Sequence, residues 1–218
     1  MKLLNEEVEK FDIKEEVNER GEKDVYLEGI FMQANIKNRN GRIYPMSVMK
    51  PEVERYIHTY VETGRALGEL GHPNFQGATP NMNLERVSHK IEKVWQEGDY
   101  FCARAKILDT PYGKIAKELI KAGCQLGVSS RALGSVQRRN GIDYVGSDFR
   151  LITAGDIVWE PSAQKAFPKG IMEDVEWEYD ETTGEFVQKE ITESVDLQKL
   201  SAMQIEAFKT FLDQIKTR

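Results

Sequence analysis

The spacing of apolar and polar positions changes several times along the 218-residue chain, and each change marks an element. Residues 25–36, VYLEGIFMQANI, are densely apolar and rich in β-branched and aromatic side chains, which predicts a strand. The Asn-Gly of NRNGRIYP then predicts a turn. Val53, Tyr56, Ile57, Tyr60 and Val61 fall at helical spacing, with Gly64 placed to stop that helix. GHPNFQGATPNMN is rich in Gly, Pro and Asn and predicts a loop that holds His72. Alternation returns at Val87, His89, Ile91, Lys93 and Trp95, which predicts one face of a strand, and residues 100–108 supply a neighbour. In DTPYGKIAKELIKAG the helix signals are strongest: Asp109 or Thr110 as N-cap, Pro111 in the first turn, Gly123 past the end. LGVSSRALGSV follows as a strand, and residues 143–159 give one or two more.

The two ends read differently. Residues 1–23 carry many Glu and Lys, which predicts a mobile arm or peripheral helix. From Met172 the chain turns acidic and poor in apolar residues, the composition of an exposed linker. It closes on an amphipathic helix, with Leu197, Leu200, Gln204, Phe208, Phe211, Leu212 and Ile215 on one stripe. The pattern predicts an arm at 1–23, a central domain at 24–172, an acidic linker at 173–193 and a helical segment at 194–218. Six or seven strands with few helices, out of βαβ order and without internal repeat, place the fold as α+β, mainly β, with a barrel-like core surrounded by helices.

Composition narrows the function. A net charge of −6 argues against a nucleic-acid surface, although it leaves room for a local basic patch. Cys102 and Cys124 match no zinc or redox spacing, so no metal or cofactor is expected. No apolar run reaches the roughly 18 residues of a membrane span, and the acidic N-terminus does not read as a signal peptide. The expectation is a chain of the cell interior with no membrane partner.

The chemistry turns on two adjacent serines, Ser129 and Ser130, between glycines. A serine becomes a nucleophile when a base takes its proton and a third group orients the base. There are three histidines. His58 sits within the first helix and reads as surface; His89, on a strand, reads as half-buried and structural. His72, between Gly71 and Pro73 on a rigid loop, suits a base in a cleft. The acid candidates are Asp156, among apolar strand residues where a carboxylate needs a partner, and Asp148 in a turn-like GSD. Small Ala132 and Gly134 leave room beside the serines for a bound chain. Strand alternation lets only one of the two serines meet His72. The rivals are a non-catalytic scaffold module and a cysteine hydrolase using Cys124.

EGIFMQANIKNRNGRIYP, GELGHP, KAGCQLGVSSRALGS and AGDIVWEPSA, in that order between Tyr26 and Met172, resemble the prohead (capsid core) proteases of contractile-tailed bacteriophages. That family is distantly similar to the herpesvirus assemblin proteases, which implies a β-barrel ringed by helices. The resemblance implies a serine endopeptidase with His72 as base and Ser129 as nucleophile. The backbone N–H groups of Ser130 and Arg131 are its oxyanion candidates. The herpesvirus relatives carry a second histidine about two dozen residues after the serine. Here Asp156 lies 27 positions after Ser129 and takes that place. Those relatives also place paired arginines soon afterwards, and this chain has none between Asp156 and Lys165.

Cleavage after glutamate in a Leu/Ile-x-Glu pattern is likewise implied, with scaffold (core) and major capsid proteins as substrates inside the prohead in the bacterial cytoplasm. A homodimer, as in the herpesvirus relatives, is the implied assembly. Ile191-Thr192-Glu193 fits the pattern, which implies self-cleavage between Glu193 and Ser194 and makes 194–218 a propeptide. Leu4-Asn5-Glu6 fits as well, which implies trimming of the N-terminal arm, and Ile171-Met172-Glu173 is a further match. A glutamate pocket needs a cation, for which Arg42, Arg131, Arg138 and Arg139 are candidates.

Overall fold

The computed structural model describes residues 2–8, 11–17, 19, 21, 23–38, 40–73, 79–159 and 177–188. In chain order its first elements are β1 (Lys2–Val8), β2 (Phe11–Val17), β3 (Lys23–Gln33), β4 (Arg42–Ile43), α1 (Met46–Tyr56) and β5 (Leu67–Glu69). Then come β6 (Val87–Glu97), β7 (Tyr100–Ile107), α2 (Pro111–Lys121), β8 (Gly127–Gly134), β9 (Val136–Arg139), β10 (Ile142–Val145), β11 (Arg150–Val158), β12 (Trp177–Asp180) and β13 (Glu185–Gln188).

Two sheets carry the site. One has five antiparallel strands in the order β2-β3-β7-β6-β5; the other has three, β1-β8-β11. The larger of two apolar clusters draws on both, including Leu27, Phe31, Ile91, Ala103 and Ile107 from the first and Val128, Ala132, Leu151 and Ile157 from the second. A parallel bridge between Leu70 and Ile157 joins the end of β5 to β11. Glu52 of α1 is buried and accepts the Leu151 N–H at 2.6 Å, which ties that helix to β11. A third sheet, β4-β10-β9, and the β12-β13 hairpin complete the described residues.

Several expectations need correction. Among the described residues no sheet closes into a barrel; two α-helices pack on the core, α1 through Met49, Val53 and Tyr56 and α2 through Ala116. There are more strands than the apolar pattern predicts, because short charged segments pair as edge strands with little apolar signal of their own. Residues 2–8 and 11–17, read as part of an arm or peripheral helix, are strands of the two main sheets. The first helix begins at Met46, before the predicted stripe, and continues through a π-helical turn, Ile57–Val61. The predicted face of β6 holds for Val87, His89 and Ile91 and then breaks: the register shifts between Ile91 and Lys93, Val94 turns inward and Lys93 outward. One inserted residue changes the parity of every side chain after it. Thr110 is the N-cap of α2, accepting the Gly113 N–H at 3.1 Å, while Asp109 pairs with Lys117.

Where β5, β6 and β11 meet there is no spare volume. A Cβ on Gly68 would lie 2.2 Å from His89 Nε2 and 2.4 Å from the Gly155 carbonyl oxygen. Both obstacles are held in place, so Gly68→Ala is expected to destabilise the fold by about 1–3 kcal/mol or more, read as a lowered urea midpoint.

Candidate active site

A one-residue irregularity in β11 builds the site. Arg131 of β8 pairs with Thr153, and Ser129 pairs with Asp156, with the register shifting between the two pairs. Regular pairing would put Gly155 opposite Ser129; the bulge substitutes Asp156. Partners across an antiparallel ladder share a face, as do residues two apart on a strand. Ser129, Arg131 and Asp156 therefore project from the same face of the sheet, and Ser130 from the other.

His72 reaches that face from the end of β5. The Leu70–Ile157 bridge fixes the approach, the Gly71 N–H donates to the Ile157 carbonyl at 2.7 Å, and Gly71 takes φ +77°, which favours glycine. His72 Nδ1 then lies 2.8 Å from Asp156 Oδ2 and His72 Nε2 lies 2.8 Å from Ser129 Oγ. A carboxylate only accepts, so Nδ1 carries the proton and donates to Asp156. Nε2 is left as the acceptor of the Ser129 hydroxyl proton. Ser129 and Asp156 are fully buried and His72 is mostly so.

A buried carboxylate must be paired, and Asp156 is paired several times over. Its Oδ1 accepts the Glu69 N–H at 2.9 Å. The guanidinium of Arg131, itself 0 % exposed, sets Nε 3.0 Å from Oδ2 and Nη2 3.3 Å from Oδ1. Burial pushes the Asp156 carboxyl up, and the charge of Arg131 with the hydrogen bonds from His72 and Glu69 outweighs it, holding the carboxyl below its usual range. Arg131 Nη2 also meets Glu69 Oε1 at 2.8 Å, and Nη1 donates to the carbonyls of Pro80 and Asn81 at 3.1 and 3.3 Å. Arg86 approaches the other Glu69 oxygen at 3.3 Å.

The expected site residues thus separate. His72, Ser129 and Asp156 come together. Ser130 and Arg131 follow on β8, which pairs on both edges; successive N–H groups of a strand point to opposite edges, so the register lets at most one of them face a given oxyanion. Arg131 is committed to Asp156 and Glu69, which removes it from the cations offered for a glutamate pocket. Arg42, Arg138 and Arg139 belong to the separate β4-β10-β9 sheet. A cavity of about 260 Å³ there, lined by Arg139, Gln137 and Tyr144 among others, includes none of His72, Ser129 and Asp156. Asp148 accepts from the backbone and hydroxyl of Ser135, a turn role. Cys124 is exposed after α2. Glu193 and Ser194, with the acidic linker's end and the terminal helix, lie outside the described residues. The sequence pattern does not announce that Glu69 and the side chain of Arg131 surround Asp156. The signal available for Glu69 was an acid inside GELGHP, a short apolar piece where a charge needs a partner.

His89 is wholly buried rather than half-buried. Nε2–H donates to the Gly155 carbonyl at 2.9 Å, so neutral Nδ1 accepts the Ser88 hydroxyl at 2.9 Å. Burial lowers its pKa. The unfolded chain therefore takes up a proton at this position near pH 6.5 while the folded chain does not. His89 is expected to contribute stability above that pH and lose it as pH falls through the folded value, by at most about 1.4 kcal/mol per pH unit. Urea midpoints between pH 7.5 and 5 should show this slope in the native chain and its loss in His89→Gln.

A family model described as "Prohead core protein serine protease" matches residues 6–176. The chain belongs to this family. It is 41% identical over 157 residues to the prohead core protein protease of Enterobacteria phage T4, which covers 68% of this chain and 71% of that one. It also matches the solved structure of the bacteriophage T4 capsid assembly protease with a TM-score of 0.66 and 35% identity, over 73% of this chain and 98% of that one. Family membership makes the chain a peptidase of the prohead core. No helix among the described residues is long and apolar enough to cross a membrane.

Proposed function

We propose that this chain is a serine endopeptidase that cuts scaffold and capsid proteins after glutamate in Leu/Ile-x-Glu segments during prohead maturation. It also cuts itself between Glu193 and Ser194. The observation that carries the reading is His72 bridging Ser129 Oγ and Asp156 Oδ2 at 2.8 Å on each side, with the proton order that general-base catalysis requires. Ser129 Oγ attacks the carbonyl carbon of the glutamate as its proton passes to His72 Nε2. His72 then gives that proton to the leaving amine, and a water, deprotonated in turn by His72, releases the acyl group. Base catalysis of this kind supplies on the order of a hundred- to ten-thousand-fold, and aligned oxyanion donors about 3 kcal/mol more.

A fluorophosphonate ester tests the catalytic type. The folded chain should take up one equivalent, mapped by peptide mass to Ser129, and the urea-unfolded chain none. Peptides containing Ile-Thr-Glu-Ser should be cut after the glutamate and their Gln counterparts left whole. Adduct on Ser130 or Cys124, or cleavage indifferent to the glutamate, would overturn the assignment.

A further inference from the structure

We infer that His89 is a positioning residue: by holding the Gly155 carbonyl it fixes the bulge in β11 that brings Asp156 opposite Ser129, while Thr153 holds the other side of the same glycine. This rests on the endopeptidase reading above and gives a catalytic consequence to a histidine other than the proposed base.

Between the pairs Thr153–Arg131 and Asp156–Ser129, Ala154 and Gly155 of β11 stand against Ser130 alone. A bulge of this kind takes backbone groups out of the ladder, and buried ones must find other partners. Gly155 is buried, and its partners are side chains. His89 Nε2–H donates to its carbonyl at 2.9 Å, and its own N–H donates to Thr153 Oγ1 at 3.3 Å. The Thr153 hydroxyl proton goes to the nearer of two carbonyls, Leu67 at 2.9 Å against Gly155 at 3.3 Å, which leaves its oxygen free to accept.

Two glycines make the contact possible. Gly68 is the partner of His89 across β5 and β6, and the imidazole crosses it to reach β11: a Cβ on Gly68 would lie 2.2 Å from His89 Nε2. A Cβ on Gly155 would lie 2.9 Å from Phe31 Cδ1, so the bulged residue meets the core without a side chain. The Ser88 hydroxyl donates to His89 Nδ1 at 2.9 Å, so both ring nitrogens are engaged and the ring cannot turn without losing a buried bond. A peptide unit is planar, so the direction of the Gly155 carbonyl sets the direction in which the chain enters Asp156. A slip that closed the bulge would put Gly155 opposite Ser129 and send the Asp156 side chain to the other face of the sheet, away from His72.

Two measurements on the full-length chain, each made where the variant is fully folded, test this: kcat and KM on an Ile-Thr-Glu-Ser peptide, and the NMR signal of the His72 Nδ1–H proton. His89→Leu is similar in size and removes the donor. It is expected to lower kcat about a hundredfold with KM nearly unchanged, the effect of roughly an ångström of misplacement. The His72 signal, downfield in the native chain because Nδ1–H donates to Asp156, should move upfield or broaden away. His89→Gln sets an amide N–H near the place of Nε2–H and should bring both readouts back towards the native chain, a rescue that packing alone does not give. Thr153→Val removes the other hold at nearly constant volume, should lower kcat about tenfold, and decides the matter if His89→Leu does not fold. A folded His89→Leu or Thr153→Val with native kcat overturns the inference, as does His89→Gln no faster than His89→Leu. If the native chain cuts no such peptide, the endopeptidase reading itself fails. The His72 signal then decides the positioning of Asp156 alone: unmoved in His89→Leu it sinks the inference, and lost there but kept in His89→Gln it upholds it.

Discussion

Asp156→Asn is expected to lower kcat on an Ile-Thr-Glu-Ser peptide by about ten-thousandfold with little change in KM. The reason is the direction in which hydrogen bonds must run. Oδ1 of Asp156 accepts the Glu69 backbone N–H at 2.9 Å and faces Arg131, both of which only donate. An asparagine must therefore keep its carbonyl oxygen there and turn its NH₂ towards His72. That NH₂ donates, so His72 Nδ1 becomes the acceptor and the proton moves to Nε2, the atom facing Ser129 Oγ. The imidazole keeps its position and loses its function as base. Fluorophosphonate labelling of Ser129 should slow in parallel. The fold should persist with a lowered urea midpoint: the Glu69 hydrogen bond is retained and Arg131 keeps Glu69 as a partner, but the new NH₂ stands where Oδ2 lies 3.0 Å from Arg131 Nε, donor against donor. A loss of less than tenfold, measured where the variant is fully folded, would mean that Asp156 neither orients nor charges His72.

The same geometry shows what a sequence can and cannot give. His72, Ser129 and Asp156 were legible because each lies in a block of several residues that resembles one family, and because a rigid Gly-His-Pro loop, a Gly-flanked serine pair and an acid among apolar residues each raise a chemical question alone. Why Asp156 meets Ser129 was not legible. It depends on the extra residue in β11, and a bulge is decided by the packing of neighbours such as His89 and Gly68, which claim the Gly155 carbonyl region. The same kind of irregularity after Ile91 defeated the alternation read for β6. Strands β1 and β2 were missed for a different reason: half of their residues are charged, and an edge strand takes its order from a partner distant in sequence. Arg131 was misjudged because an arginine beside a nucleophile suggests substrate binding, whereas its charge is already neutralised by Glu69 and Asp156.

That commitment makes Arg131→Met the most destabilising change expected in the site. The guanidinium is fully buried between two buried carboxylates, at 2.8 Å from Glu69 and 3.0 Å from Asp156. Methionine has a similar reach and no charge, so it leaves those carboxylates facing each other with Arg86 beside Glu69 alone. Breaking a buried pair in this way costs about 3–5 kcal/mol. The sign of its pH dependence identifies the cause. In the native chain Asp156 titrates below its usual range, so its contribution is present above the ordinary carboxylate pKa near 3.9 and is lost as pH falls through the folded value. In Arg131→Met the remaining carboxylates repel and lose their counter-charge, so one is protonated in the folded state at a pH where the unfolded chain is still ionised. The variant's deficit should therefore be largest near pH 7 and shrink towards pH 5. Adding Glu69→Gln should recover part of it, because one of the two stranded charges is gone. Urea midpoints of the native chain, Arg131→Met and the double variant at both pH values decide the matter. A deficit independent of pH, or a double variant no better than the single one, would place the contribution of Arg131 in packing and in its bonds to Pro80 and Asn81 instead of in the charge that holds Asp156 ionised beside His72.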